Sequence, residues 1–123
     1  MNKYFYCIII FFFLLISCNK KETVVCSLEF RTINIKVNGK LLNNFFTIRK
    51  STGDTIIIDN STGFSTNYYP VLNDNFQPLL LNKTEAFEFF GIINDSVVIK
   101  ESFLIKADAC HIDYVSGNTE ITL

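Results

Sequence analysis

His111 is the chain's single histidine, and it follows Cys110 directly. An imidazole beside a thiol first raises the question of zinc. Zinc sites take three or four ligands at set spacings, and no further Cys or His stands near this pair in the sequence. The step is therefore expected to play a structural part in or beside a strand, with no metal. An imidazole can also activate a serine when an aspartate orients it. Any serine formally qualifies, but no G-x-S-x-G elbow occurs, so catalysis is not expected. The carboxylates do not cluster: Asp108 and Asp113 flank the Cys-His step, and Asp54 and Asp59 bracket an apolar run. No EF-hand loop is present, and these acids are expected to be solvated turn and edge residues. The expectation is a non-enzyme without a cofactor.

Cys18 carries a different chemistry. It ends "LISC", after an unbroken apolar run from Tyr4 to Ile16. That run of about 13 residues has the length of a signal-peptide core, whereas a membrane-spanning helix needs about 20. Lengthening it would bury Lys20 and Lys21, each costing about 2.5–3.5 kcal/mol near a helix centre. Leu15-Ile16-Ser17-Cys18 resembles the bacterial lipobox. Small Ser17 would let a peptidase reach the bond, and the Cys18 thiol would take a diacylglycerol. The resemblance implies a removed leader at 1–17, an acylated Cys18 with a polar tether over 18–25, and a folded domain over 26–123. Two or three acyl chains anchor stably, at about 0.8 kcal/mol per buried methylene. Asn19 is not the Asp that commonly retains such proteins at the inner membrane, so the outer membrane is the expected location. The leaflet stays open, because surface-export signals in Bacteroidota lipoproteins are usually acidic and "NKKE" offers only Glu22.

Outside the cytoplasm, the two remaining cysteines, Cys26 and Cys110, are expected to form one disulfide. Closing that long loop would stabilise by roughly 4.5 kcal/mol in the chain-entropy model; the alternative is two buried free thiols. The formal net charge is −1, and no basic run exceeds Lys20-Lys21. The footprint of a nucleic-acid binder is missing, and nucleic acid is not an expected partner. "STGFSTNYYPVLNDNFQP" sets Phe64, Tyr68, Tyr69 and Phe76 among Asn, Thr and Asp, side chains that can stack on and hydrogen-bond sugars or peptides. It is the candidate ligand loop, with a core role for the rings as the alternative. Asp54-Thr55-Ile56 and Asp95-Ser96-Val97 match the short sequence that Bacteroidota use for O-glycosylation, at Thr55 and Ser96.

The elements that must position these groups are strands. Composition leans to Phe, Ile, Val, Thr, Tyr and Asn with no Trp, which favours strands and turns. Short apolar runs are divided by Gly, Asn, Asp and Ser about every ten residues, the spacing of a sandwich or barrel. A first strand is expected over 26–37, "CSLEFRTINIKV", with a bulge or sheet switch where the alternation changes phase at Arg31-Thr32. Asn38-Gly39 makes the next turn. "NNFFTIR" and "TIIID" pair around "KSTGD". "AFEFFGII" and "SVVIKESFLIKA" pair around Asn94-Asp95, with Val97, Ile99, Phe103, Ile105 and Ala107 inward. "TEITL" closes the set with Ile121 and Leu123 inward, giving about seven strands. Pro70 and Pro78 limit 60–82 to edge or short strands.

"ADACHIDYVSGNTEITL" and "INIKVNGKLLNNFFTIRKSTGDT" resemble the close and the start of carboxypeptidase-regulatory-like domains in Bacteroidota lipoproteins. That resemblance implies a seven-stranded Greek-key sandwich of the immunoglobulin and transthyretin type. It brings no catalytic residues and implies a scaffold or interaction module. The resulting expectation is a lipid-anchored, non-catalytic, all-β envelope protein that binds an envelope component or an external glycan or peptide. The alternative is a purely structural accessory subunit of an outer-membrane complex.

Overall fold

The structure, a computed structural model, describes residues 22–60 and 66–123. Among the described residues are eight strands and one short 3₁₀ helix: β1 (Thr32–Asn38), β2 (Asn44–Arg49), β3 (Thr55–Ile56), β4 (Tyr68–Asn73), the helix (Asp74–Leu80), β5 (Thr84–Ile93), β6 (Ser96–Ala107), β7 (Ile112–Ser116) and β8 (Glu120–Thr122). They form two sheets, one ordered β4-β1-β8 and the other β3-β2-β5-β6-β7. The result is an all-β sandwich. No helix among the described residues is long and apolar enough to cross a membrane.

Alternation explains the layering. β1 buries Ile33, Ile35 and Val37 and turns Thr32, Asn34 and Lys36 outward, with period two. Across the interlayer space, β5 and β6 supply Phe87, Phe89, Ile99, Phe103 and Ile105. Thr47 of β2 is buried among them, and its hydroxyl donates to the Val71 carbonyl of the opposite sheet at 2.7 Å. That bond satisfies the one polar atom Thr47 carries inward. β5 and β6 make the longest hairpin, closed by Asn94 and Asp95 at positive φ of 49° and 62°, the pattern of a two-residue primed turn.

Several expectations change. The first strand begins at Thr32, not Cys26, and residues 22–31 form an exposed arm with Leu28 and Phe30 in solvent. Leu28 and Phe30 are apolar at alternate positions, but no neighbouring strand takes up the arm's backbone groups. The phase change at Arg31-Thr32 thus marks the strand's start, and the bulge falls further on, between Ile33 and Asn34 opposite β4. "TIIID" keeps only two residues in the ladder, since Ile57 turns out to solvent. Val97 and Leu123, both expected inward, are exposed as well. The β5–β6 register shifts between Gly91 and Ile92, which puts Val97 opposite Ile92 near the hairpin tip, beyond the covering sheet. The stretch 60–82 yields β4, an edge strand holding Pro70 where the missing N–H does least harm, and the helix holding Pro78.

The register gives the sandwich two distinct ends. At one lie Thr32 paired with Asn73, Thr84 with Lys106, and Ala107 with Ile112. The arm enters there. At the other lie Asn44 paired with Ile92, the Asn94-Asp95 turn, and the Leu123 N–H donating to the Asn38 carbonyl.

Candidate functional site

Asp74 organises the arm end. It opens the 3₁₀ helix, where the Asn73 side chain accepts the Asn75 N–H as a cap. Its own N–H donates to the Arg31 carbonyl at 3.0 Å, and the Arg31 N–H returns a bond to Asp74 Oδ2 at 2.7 Å. Oδ1 accepts the Ile112 N–H at 2.8 Å, and Oδ2 also meets His111 Nδ1 at 2.7 Å. Burial alone would raise this carboxyl, but the N–H groups of Arg31 and Ile112 and the His111 ring outweigh it and hold Asp74 below its ordinary range.

His111 is buried, and its Nε2 lies 2.9 Å from Ser27 Oγ. An ionised Asp74 accepts from Nδ1, which leaves Nε2 to the Ser27 hydroxyl. The loop before β7 holds the imidazole in place: Asp108 Oδ1 accepts the N–H groups of Cys110 and His111 at 2.7 and 2.8 Å. Those two bonds lower the Asp108 carboxyl from its ordinary value. Beside them, Cys26 and Cys110 are joined in a disulfide with Cα atoms 5.3 Å apart. Arg31 adds an ion pair to Asp113. The arm is thus fixed to the sandwich covalently at Cys26 and by hydrogen bonds at Ser27 and Arg31.

Chemically, Ser27–His111–Asp74 has the connectivity of an acyl-transfer triad, which the sequence did not reveal. Serine and histidine are 84 residues apart and histidine and aspartate 37, and no local pattern links them. A nucleophile also needs a space for the reacting carbon and donors for the oxyanion. The groove nearest the arm runs from Glu29 to Ile33 and across to Ile112–Tyr114, and Ser27 and His111 do not line it. Among the described residues, no group of three or more His, Cys, Asp and Glu side chains could hold a metal ion.

The candidate ligand aromatics are divided. Tyr69 is buried: its ring meets Phe45 edge-on at 5.3 Å, and its hydroxyl accepts the Leu42 N–H at 2.9 Å. Tyr68, its neighbour in β4, is half-exposed on the other face. Phe76 packs partly against the core, and Phe64 lies outside the described residues, as does Cys18. Tyr68, Tyr69 and Phe76 therefore do not share one open face. Thr55 and Ser96 are both exposed, each at the first residue of a strand.

The opposite end carries a cleft of about 410 Å³ lined by Asn43, Asn44, Ile92, Asn94 and Asp95. Asn43 Oδ1 accepts the Asn94 N–H at 2.7 Å and Asn44 Oδ1 accepts the Phe45 N–H at 2.8 Å. With both carbonyl oxygens engaged, the amide NH₂ groups have no partner among the described residues, and neither has the Asp95 carboxylate. Amide donors beside a carboxylate acceptor over one aliphatic side chain match a hydroxyl-rich ligand, whose O–H groups accept from one and donate to the other.

No protein-family model, no curated protein and no solved structure matches this chain.

Proposed function

We propose that this is a lipid-anchored protein of the bacterial outer membrane, acylated at Cys18 after loss of residues 1–17, whose non-catalytic sandwich holds a ligand-binding end away from the membrane. The observation that carries this reading is the separation of the two ends: the arm leading to Cys18 is fixed at one, and the amide-lined cleft opens at the other. The lipobox resemblance of Leu15 to Cys18 supports the anchor, and the resemblance to carboxypeptidase-regulatory-like domains supports a Greek-key sandwich of the immunoglobulin or transthyretin type. A short glycan is the ligand class that the cleft fits best. Thr55 and Ser96, exposed at strand starts, are the proposed O-glycan acceptors; an unshifted intact mass would end that part.

Metabolic labelling with a fatty-acid analogue tests the anchor, and equal label in wild type and Cys18→Ser sinks it. Glycan-array binding that is lost in Asn43→Ala and Asp95→Ala tests the ligand. A stoichiometric membrane partner with no glycan binding makes the protein a structural accessory instead. The triad connectivity favours one second reading, a serine hydrolase. A fluorophosphonate probe decides it: labelling that disappears in Ser27→Ala establishes the hydrolase, and absence of label in the folded protein leaves the non-catalytic reading standing.

A further inference from the structure

The arm exposes more apolar surface than its place at the head of a folded domain requires. Val24 is 60% exposed, Val25 88%, Phe30 59%, and Leu28 fully. Ile57, 77% exposed, joins them across a groove it lines with Phe30, Ile58 and Phe76. Single exposed aliphatic residues are ordinary on a protein surface, but four large ones within one seven-residue segment, beside an apolar groove, mark a contact. The arm cannot withdraw these side chains into the fold, because the disulfide and the bonds of Ser27 and Arg31 hold it outside the strands.

The chain itself indicates what covers the patch. Only three residues, hence four steps of the chain, separate Cys18 from Glu22, where the described structure begins. Fully extended, they reach about 14 Å. A lipid on Cys18 therefore keeps Val24 and Val25 close to the headgroups, and the fixed arm carries Leu28 and Phe30 at the same end of the sandwich. Lys20 and Lys21 lie in that short stretch and complement anionic headgroups. Glu29 is ion-paired with Arg31, so the charge next to Leu28 and Phe30 is partly compensated. We infer that the arm and the groove beside it form a membrane-contact surface, with Val25, Leu28 and Phe30 entering the headgroup and upper acyl region of the bilayer that holds the anchor. This contact rests on the anchor at Cys18. It makes the tether a seat for the domain and sets the orientation in which the amide cleft faces away.

The chain has no Trp, which makes a single reporter available. Full-length Leu28→Trp and, as the distal control, Lys40→Trp would be expressed with a labelled fatty acid. Each would be purified in detergent and reconstituted into phosphatidylethanolamine and phosphatidylglycerol vesicles with brominated acyl chains. Emission at position 28 should shift to the blue and be quenched, while position 40 should show neither effect. Labelled, vesicle-bound protein in which position 28 stays unquenched overturns the contact and leaves the anchor intact. A blue shift without quenching that grows with protein density means that a second copy covers the patch, and it too overturns the contact. Protein that carries no label and does not remain with vesicles overturns both.

Discussion

Replacing Asp74 with alanine should be among the most damaging single changes in the fold. The substitution leaves the N–H groups of Arg31 and Ile112 and the His111 ring nitrogen facing a side chain that can no longer accept. Each buried donor stranded this way costs about 1–3 kcal/mol. Three of them cost about 3–9 kcal/mol, a large part of the roughly 5–15 kcal/mol that stabilises a domain of this size. Urea unfolding of the oxidised protein followed by circular dichroism measures the loss directly, and the melting temperature should fall by roughly 15 °C or more. Asp74→Asn separates charge from shape. Because the native carboxyl sits below its ordinary range while the unfolded one titrates near pH 3.9, its charge-linked stabilisation is complete above the unfolded value. It is lost as pH falls through the native one. The stability gap between wild type and Asp74→Asn should therefore be widest near neutrality and close progressively below about pH 4. A loss under about 1 kcal/mol for Asp74→Ala, or a gap that stays constant down to the lowest pH measured, refutes the assignment of these three bonds as a buried unit.

The remaining predictions concern other fixed points. Thiol labelling of the unfolded, unreduced protein should find Cys26 and Cys110 unreactive, and replacing both with serine should cost up to about 4.5 kcal/mol in chemical denaturation. Gly117→Ala should destabilise by about 1–3 kcal/mol, because φ is +133° and the new Cβ would lie 2.5 Å from the buried Phe103 ring; an unchanged melting temperature contradicts that packing. Glu85 accepts from Arg49 Nε at 3.1 Å and Nη2 at 2.7 Å, with both side chains largely shielded from water. Glu85→Ala should therefore cost about 2–3 kcal/mol and Arg49→Lys less than Arg49→Ala, because lysine retains the charge but loses the two-pronged geometry.

What the sequence carried legibly was everything with a local cause. The β5–β6 hairpin follows from alternating residues on either side of Asn94-Asp95, and the β2–β3 pair from a Gly-containing loop. The disulfide followed from counting cysteines once Cys18 had been set aside. Other features depend on encounters across the chain. β4 was obscured because its residues from Tyr69 to Asn73 are all buried and Pro70 interrupts the signal, so no alternation survives to be read. The arm looked like a strand because Leu28 and Phe30 alternate, yet strand formation also needs a partner. Asp74 stood in the sequence as one polar residue of the candidate ligand loop, within "LNDNF", and only the meeting of β4's end, the arm and the start of β7 gives it a histidine. The cleft at the far end escaped for the same reason: Asn43 reads as the start of a strand and Asn94 as a turn residue until the β2–β5 register places them together.

The disulfide also has a mechanical meaning. Tension applied through residues preceding Cys26 reaches two covalent paths at that cysteine: onward through the arm to β1, or across to Cys110. Because Cys110 stands two residues before β7, the second path delivers the pull to the outer strand of the five-stranded sheet. β1 sits in the middle of the smaller sheet and is held at its far end by a three-residue partner, β8. It is therefore spared much of the load while the sulfur bridge is intact. Cutting the bridge would leave the hydrogen bonds of Ser27 and Arg31 to take the pull before it reached β1, so oxidation state becomes a setting for how much force the domain survives.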